Sequence, residues 1–234
     1  MTPAPPRQAD ALRRKLRRLL RLERALWGRG YARIAGVDEA GLGPLAGPVV
    51  AAAVILPPGE GILGADDSKR LTPAQRGELD REIRARALGI GIGLASVAEI
   101  ERLNIRGAGI LAMRRALEDL PQPPDYVLID ARLVPGFPCP QESHIRADAT
   151  IHAVACASIL AKVLRDGLME GYDRLYPNYG FARHRGYATE EHRRAIARLG
   201  PCPIHRRGFH GAGTQLPLFT PVASADATGA AAGL

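Results

Sequence analysis

Four carboxylates occupy positions from which they could act together: Asp38 and Glu39 follow a short apolar stretch, Asp130 closes the run 125–130, and Asp148 stands ahead of a long apolar segment. Acids at strand ends collect along one edge of a sheet. Crowded carboxylates repel, which raises their pKa values unless cations neutralise them, and hard oxygen donors with no Cys or His beside them favour magnesium or manganese. Metal-dependent phosphoryl chemistry is the reaction class such a set serves. Each acid taken alone has a plainer reading, Asp148 as a helix N-cap and Asp130 as a turn residue. Adjacent strand residues face opposite sides, so Asp38 and Glu39 share a site only if pairing breaks there, as Gly41 and Gly43 would permit.

Two further segments carry polar chemistry. Gly41-Leu42-Gly43-Pro44-Leu45-Ala46-Gly47 resembles a phosphate loop, yet it leads into an apolar strand instead of a helix, and its spacing is not that of the dinucleotide motif. A dinucleotide fold is therefore disfavoured. The glycines could bring backbone N–H groups close to a phosphate or sugar, or turn an ordinary hairpin, and spacing alone favours the turn. Asp67-Ser68-Lys69 precedes a capped helix, where Lys69 either reaches a phosphate or stays solvated.

The elements that must position these residues follow from periodicity and capping. Residues 10–27 place leucines and Trp27 at helical spacing among arginines, a basic amphipathic helix that leaves membrane binding open. Residues 32–38 read as a strand, and the apolar run 48–56 as a buried strand paired with it. Thr72-Pro73-Ala74-Gln75 is a capping box that starts a helix over about 73–87, and residues 89–95 alternate like a strand. Ser96-Val97-Ala98-Glu99 opens a short helix ahead of a longer one over 105–120. A strand ending on Asp130, a buried helix after Asp148 and a helix from Thr189 to Leu199 complete the order. Strands early and helices behind them predict a mixed sheet covered by helices. Residues 211–234 are mostly Gly, Ala, Pro, Thr and Ser and read as a flexible tail.

At 234 residues, 46% hydrophobic and 24% charged, the chain has material for one larger α/β domain with appendages, which excludes wholesale disorder. No apolar run of about 18 residues and no secretory signal are visible, so a cytoplasmic location is expected. Cys139, Cys156 and Cys202 are odd in number and form no CxxC pair, the pattern of reduced thiols. Residues 1–33 hold ten Lys/Arg against Asp10 and Glu23, equal to the whole net charge of +8, while 181–210 carry a local +5 and 34–180 are net negative. Basic flanks around an acidic centre suit a polyanionic substrate, although biased composition would also produce the arginine excess.

Six ordered blocks then carry a resemblance: GVDEAGLGPLAGPVVAAAVIL (36–56), DSKRLT (67–72), LIDA (128–131), the Asp148 helix with ASILAKVLRD (157–166), YPNYGFARHRGY (176–187) and GPCPIHRRGF (200–209). Over about 34–209 the chain resembles ribonuclease HII, the bacterial type 2 ribonuclease H. The resemblance implies a ribonuclease H-like α/β fold, a mixed five-stranded sheet flanked by helices with a helical C-terminal extension. The expected division is a basic N-terminal helix over 1–31, a catalytic domain over 32–210 and the tail. Implied too are hydrolysis of RNA in RNA–DNA hybrids and cleavage 5′ to a single ribonucleotide in duplex DNA.

Carried over residue by residue, Asp38, Glu39, Asp130 and Asp148 match the family's four acidic positions, all four expected to act in catalysis and to hold Mg2+ or Mn2+. The mechanistic expectation is two ions roughly 4 Å apart, one activating water and the other stabilising the leaving 3′ oxygen, with 3′-hydroxyl and 5′-phosphate products. Substrate contacts are expected from Gly41, Leu42, Gly43, Lys69 and Tyr187, with Lys162 and Arg165 nearby as phosphate or helix contacts. Where the family usually reads Gly-Arg-Gly this chain has Gly41-Leu42-Gly43, so the contribution of an arginine side chain is missing, and backbone recognition would survive. Tyr187 resembles the family tyrosine that stacks on the sugar beside the ribonucleotide, with a core tyrosine as the alternative. His184 is expected to make a structural hydrogen bond. Gln215, Leu216, Leu218 and Phe219 lie in a QLPLF stretch that looks like the peptide docked by bacterial sliding clamps, the alternative being that Phe219 packs on its own domain.

A monomer is the default expectation. Other readings are another nuclease of the same superfamily, a ribonuclease HIII, which carries an extra N-terminal domain, and an inert domain beside a nucleic-acid-binding helix. Substrate choice and magnesium dependence separate them.

Overall fold

The computed structural model describes residues 6–209. The tail and the segment 215–219 lie outside the described residues. Among the described residues five strands form one sheet: β1 (Ile34–Ala40), β2 (Val49–Ile55), β3 (Gly89–Ala95), β4 (Tyr126–Asp130) and β5 (Gln141–His144). Their order is β3-β2-β1-β4-β5, with antiparallel β3-β2-β1 pairing and parallel β1-β4 and β4-β5 pairing. The sheet is therefore mixed and five-stranded, as expected. β5, a short and partly exposed strand with a polar sequence, carries no apolar alternation that could announce it.

Among the described residues there are seven helices: α1 (Pro6–Leu19), α2 (Arg21–Gly28), α3 (Pro73–Arg86), α4 (Val97–Glu118), α5 (His152–Leu175), α6 (Phe181–His184) and α7 (Glu190–Leu199). All seven residues of β2 are buried because each face is covered. Val49, Ala51, Ala53 and Ile55 pack in a core with Ala108, Ala112, Met113 and Ala116 of α4, while Ala52 and Val54 pack with Cys156, Ile159 and Leu160 of α5. The glycines of β3 serve this packing: a Cβ at Gly91 or Gly93 would stand 2.0 Å from the carbonyl oxygen of Ala116 or Ala112. Likewise a Cβ on Gly36 of β1 would meet the Ala153 backbone of α5 at 2.2 Å. Helices thus approach the sheet backbone to backbone, which only glycine allows.

Both capping boxes form, Thr72 with Gln75 and Ser96 with Glu99. Asn104, at φ +58°, separates a short first part of α4 from its longer part, and its Oδ1 accepts the Arg106 and Gly107 N–H groups as a new cap. The basic helix expected over 10–27 is two helices that meet at Leu20. Leu19, Leu20 and Leu26 are buried, and Leu26 shares a core with Ile34, Tyr126, Leu128 and Val154, so α2 packs on the same core as the sheet. Among the described residues no helix is long and apolar enough to cross a membrane. Cys139, Cys156 and Cys202 are free thiols.

Candidate active site

β1 and β4 run parallel with Val37 opposite Ile129, so one step further along both strands brings Asp38 level with Asp130. Asp38 lies on the side of β1 that Gly36 turns toward α5, and Leu128 places the matching side of β4 with the N-terminal end of α5. Asp148 arrives on that face from a short 3-10 turn, Ala147–Ala149, rather than from α5, whose N-cap is Ile151. The reading of Asp148 as an N-cap is therefore corrected. The turn is tied to β4 by the Asp130 carboxylate, whose Oδ1 accepts the Ala147 N–H at 2.7 Å.

The expected break in pairing after Asp38 does not occur on the β2 side, where Glu39 and Ala40 continue the ladder opposite Ala51 and Val50. β4 instead ends at Asp130, leaving Glu39 without a strand beside it on that edge. Glu39 thereby acts on the same charges: burial first, then the neighbouring Asp130 carboxylate, raise it to about 7, against the pull of Arg132 and Lys69. Its Oε2 is buried without a hydrogen-bond partner. Asp38, 5% exposed, is raised well above the usual carboxylate range by burial and then by Glu39, Asp130 and Asp148. Its Oδ1 accepts only the adjoining Glu39 N–H, at 2.7 Å. Asp148 is raised by burial, Asp67 and Asp130, and is eased by Lys69, whose Nζ stands 3.9 Å away. Partial desolvation opposes the Lys69 charge, but Asp148, Asp67, Asp38 and Asp130 outweigh it and raise the ammonium. The lysine is carried by a 3-10 turn, Ser68–Arg70, capped by Asp67 and joined to α5 through the Ser68–Ser158 hydroxyl contact at 2.9 Å. All four sequence-predicted acids and Lys69 are thus within one electrostatic neighbourhood. Among the described residues no three acids, histidines or cysteines stand close enough together to form a finished ligand set.

The loop between β1 and β2 lies beside this cluster and is pinned from far away in the chain. Arg206, 3% exposed, donates to the carbonyls of Gly41 (2.7 Å), Leu42 (3.2 Å), Pro44 (2.9 Å), Gly47 (2.8 Å) and Pro48 (3.3 Å). Arg165, fully buried, donates to Ala46, Pro48 and Arg185 carbonyls at 3.1, 3.2 and 3.1 Å. Arg165 is consequently a structural donor, which corrects its expected contact with phosphate. Burial and then Arg165 lower the Arg206 guanidinium to about 9, so it stays charged at neutral pH. Tyr187 is 41% exposed, beside the position a Cβ on Gly43 would take, with Lys162 Nζ 5.6 Å from its ring centre. A core role for Tyr187 does not fit that exposure. Lys162 itself is paired with Asp166 at 2.7 Å. His184 is buried, contacts the Tyr179 carbonyl through Nε2 at 2.7 Å and stacks on His192 at 4.2 Å, in keeping with its expected structural bond.

The Ribonuclease HII family profile matches residues 35–212. A Ribonuclease HII of Syntrophotalea carbinolica is 53% identical over 192 residues, covering 82% of this chain and 92% of the relative. The chain belongs to the ribonuclease HII family. Another Ribonuclease HII, from Moorella thermoacetica, is 54% identical over 197 residues, covering 84% of the chain and 96% of the relative. Among solved structures, the ribonuclease H2 from Pyrococcus horikoshii OT3 aligns with a TM-score of 0.60 at 26% identity, covering 75% of this chain and 92% of that one. The RNase HII in a PCNA complex from Archaeoglobus fulgidus shares the fold with a TM-score of 0.64 at 24% identity over 79% and 98%. By family the chain is a ribonuclease H endonuclease, the class that acts on RNA in RNA–DNA hybrids.

Two residues of this ribonuclease HII site escaped sequence reasoning. Arg132 follows Asp130 by two positions, past the left-handed Ala131, and its charge bears on Glu39. Proximity to a strand-end acid was the signal available. Arg206 stands inside the GPCPIHRRGF block, but its role was not legible there, because its acceptors are backbone carbonyls about 160 residues earlier.

Proposed function

We propose that this ribonuclease HII hydrolyses the RNA strand of RNA–DNA hybrids and cuts 5′ to single ribonucleotides in duplex DNA, leaving 3′-hydroxyl and 5′-phosphate ends. The observation that carries the reading is the gathering of Asp38, Glu39, Asp130 and Asp148 at one sheet edge, where mutual repulsion and burial hold three of them toward their protonated forms. An all-oxygen donor set with a buried, unpartnered Glu39 oxygen fits hard divalent ions, Mg2+ or Mn2+, with those four acids as ligands. Bound there, such ions would neutralise the carboxylates, activate water and stabilise the leaving oxygen.

The chain's own residues do the rest. Asp130 orients the turn that presents Asp148, Lys69 brings a positive charge to the scissile phosphate, and Tyr187 offers an exposed ring to the sugar beside the ribonucleotide. Backbone amides of the Gly41-Leu42-Gly43 loop read the ribonucleotide, and Leu42 spares this mode because its side chain packs on the α4 core. We extend the reading to a sliding clamp as partner, through Gln215, Leu216, Leu218 and Phe219. It rests on the motif itself, and a solved relative, the Archaeoglobus fulgidus enzyme, is in complex with PCNA.

The test pairs an all-DNA duplex with one carrying a single ribonucleotide, in magnesium. Cutting 5′ to the ribonucleotide alone supports the proposal, and Asp38→Asn and Asp130→Asn should each lose at least about a hundredfold in rate. Near-normal turnover in either variant, or cutting of all-DNA duplex, would refute it. Removing 215–219 should abolish co-elution with the clamp and leave hydrolysis intact; unchanged co-elution refutes that partner.

A further inference from the structure

The loop over residues 41–48 cannot hold its own shape. It is rich in glycine and proline, and the carbonyls it turns inward have no strand to pair with. One guanidinium serves five of them, and no carboxylate is bonded to Arg206 among the described residues. In a trans peptide unit the C=O and the following N–H point in opposite directions. The Gly41 carbonyl and the Leu42 amide belong to one such unit, and the Leu42 carbonyl and the Gly43 amide to the next. Arg206 draws both carbonyls inward, so both amides are turned away from the core. Among the described residues neither amide has an acceptor. They emerge next to the exposed Tyr187 ring.

We propose that Arg206 is the positioning residue for ribonucleotide recognition: it orients the Leu42 and Gly43 amides toward the substrate from within the core. The inference rests on the proposed reading of ribonucleotides by this loop. The residue type matters because a planar guanidinium has five donors in a fixed fork, whereas a lysine ammonium has three on one atom and cannot span five carbonyls. The position of the loop glycine matters too. Gly41 sits at φ +101°, and a Cβ there would stand 2.2 Å from Arg165 Nε, so only glycine lets the loop close over both arginines. Residue 42 is left to contribute its amide alone. Leu42 packs near Gly109 of α4, where a Cβ would stand 3.3 Å from its Cδ2, so its side chain is turned to the core.

The experiment compares wild type, Arg206→Lys and Arg206→Gln on two duplexes of equal length, one RNA–DNA hybrid and one DNA with a single ribonucleotide, reading kcat and KM for each. Arg206→Lys should lose at least about tenfold in kcat/KM on the single ribonucleotide and less than about threefold on the hybrid, where neighbouring 2′-hydroxyls offer other registers. Equal losses on both substrates, or no loss, overturn the proposal, because a merely structural arginine would not move the ratio. Should neither variant fold, the wild-type chain in EDTA supplies the second reading. Its Leu42 and Gly43 amide resonances should shift with saturating single-ribonucleotide duplex and not with all-DNA duplex; identical responses overturn the inference. If wild type fails to cut the single-ribonucleotide duplex, the underlying function has failed instead.

Discussion

Asp38 shows at the scale of one residue what gathering buried carboxylates costs in stability. Its folded pKa lies above the ordinary 3.8, so the native state favours the protonated form and is penalised increasingly as pH rises from there through the folded value. Asparagine mimics the protonated acid. Asp38→Asn should therefore melt higher than wild type in metal-free buffer at pH 8, with the gap closing toward pH 4. Thermal melts across pH check this, and a lower melting point at pH 8 would show that the carboxylate is not repelled. Magnesium should raise the wild-type melting point and affect the variant less, since an ion bound only to the native state stabilises it. The four acids were legible because an acid at the end of an apolar run is conspicuous. The means by which Asp38 and Glu39 share a site was not, because β4 ending at Asp130 is a fact about a strand about 90 residues away.

The elements are held together at a few close contacts. Gly36→Ala would drive a methyl group into the Ala153 backbone, where neither partner is a flexible side chain, and should cost at least about 2 kcal/mol in denaturant unfolding, with activity falling as β1 shifts. The docking of α2 on α5 has its own pH signature. Glu23 is buried with its Oε1 accepting the Ala153 N–H at 2.9 Å, and burial raises it from 4.5 to about 7. A carboxyl raised on folding destabilises progressively between those two values as pH climbs. Glu23→Gln keeps an acceptor for Ala153 and removes the charge, so it should stabilise the protein by on the order of 3 kcal/mol above pH 7 and by little at pH 4.5. A pH-independent difference between the two melts would disprove the linkage. Caps and apolar runs announced α3, α4 and β2 from local sequence. The single basic helix over 10–27 did not survive, because the break at Leu20 seats α1 and α2 separately against the domain.

For the molecule as a whole, charge and fold divide the labour. Arg14, Arg17, Arg18, Arg21 and Arg24 are exposed on α1 and α2 and make no ion pair among the described residues, while Lys15 is paired with Asp66 near the turn that carries Lys69. Replacing Arg14, Arg17 and Arg18 with glutamine should weaken duplex binding at low salt, with kcat unchanged. The slope of log K against log salt should become shallower by about 1 for each phosphate that those arginines neutralise in the wild type. An unchanged slope would mean that this face does not meet the duplex. Sequence by itself determined the mixed α/β class, the family, the four acids and the basic terminus, since each depends on residue type and local order. Tertiary structure alone decided that the loop over 41–48 is shaped by Arg165 and Arg206, that Arg132 attends Glu39, and that Asp148 enters from a 3-10 turn. The physical reason is that a buried cation answers to carbonyls, which every residue possesses, so nothing in the amino-acid alphabet marks where its partners lie.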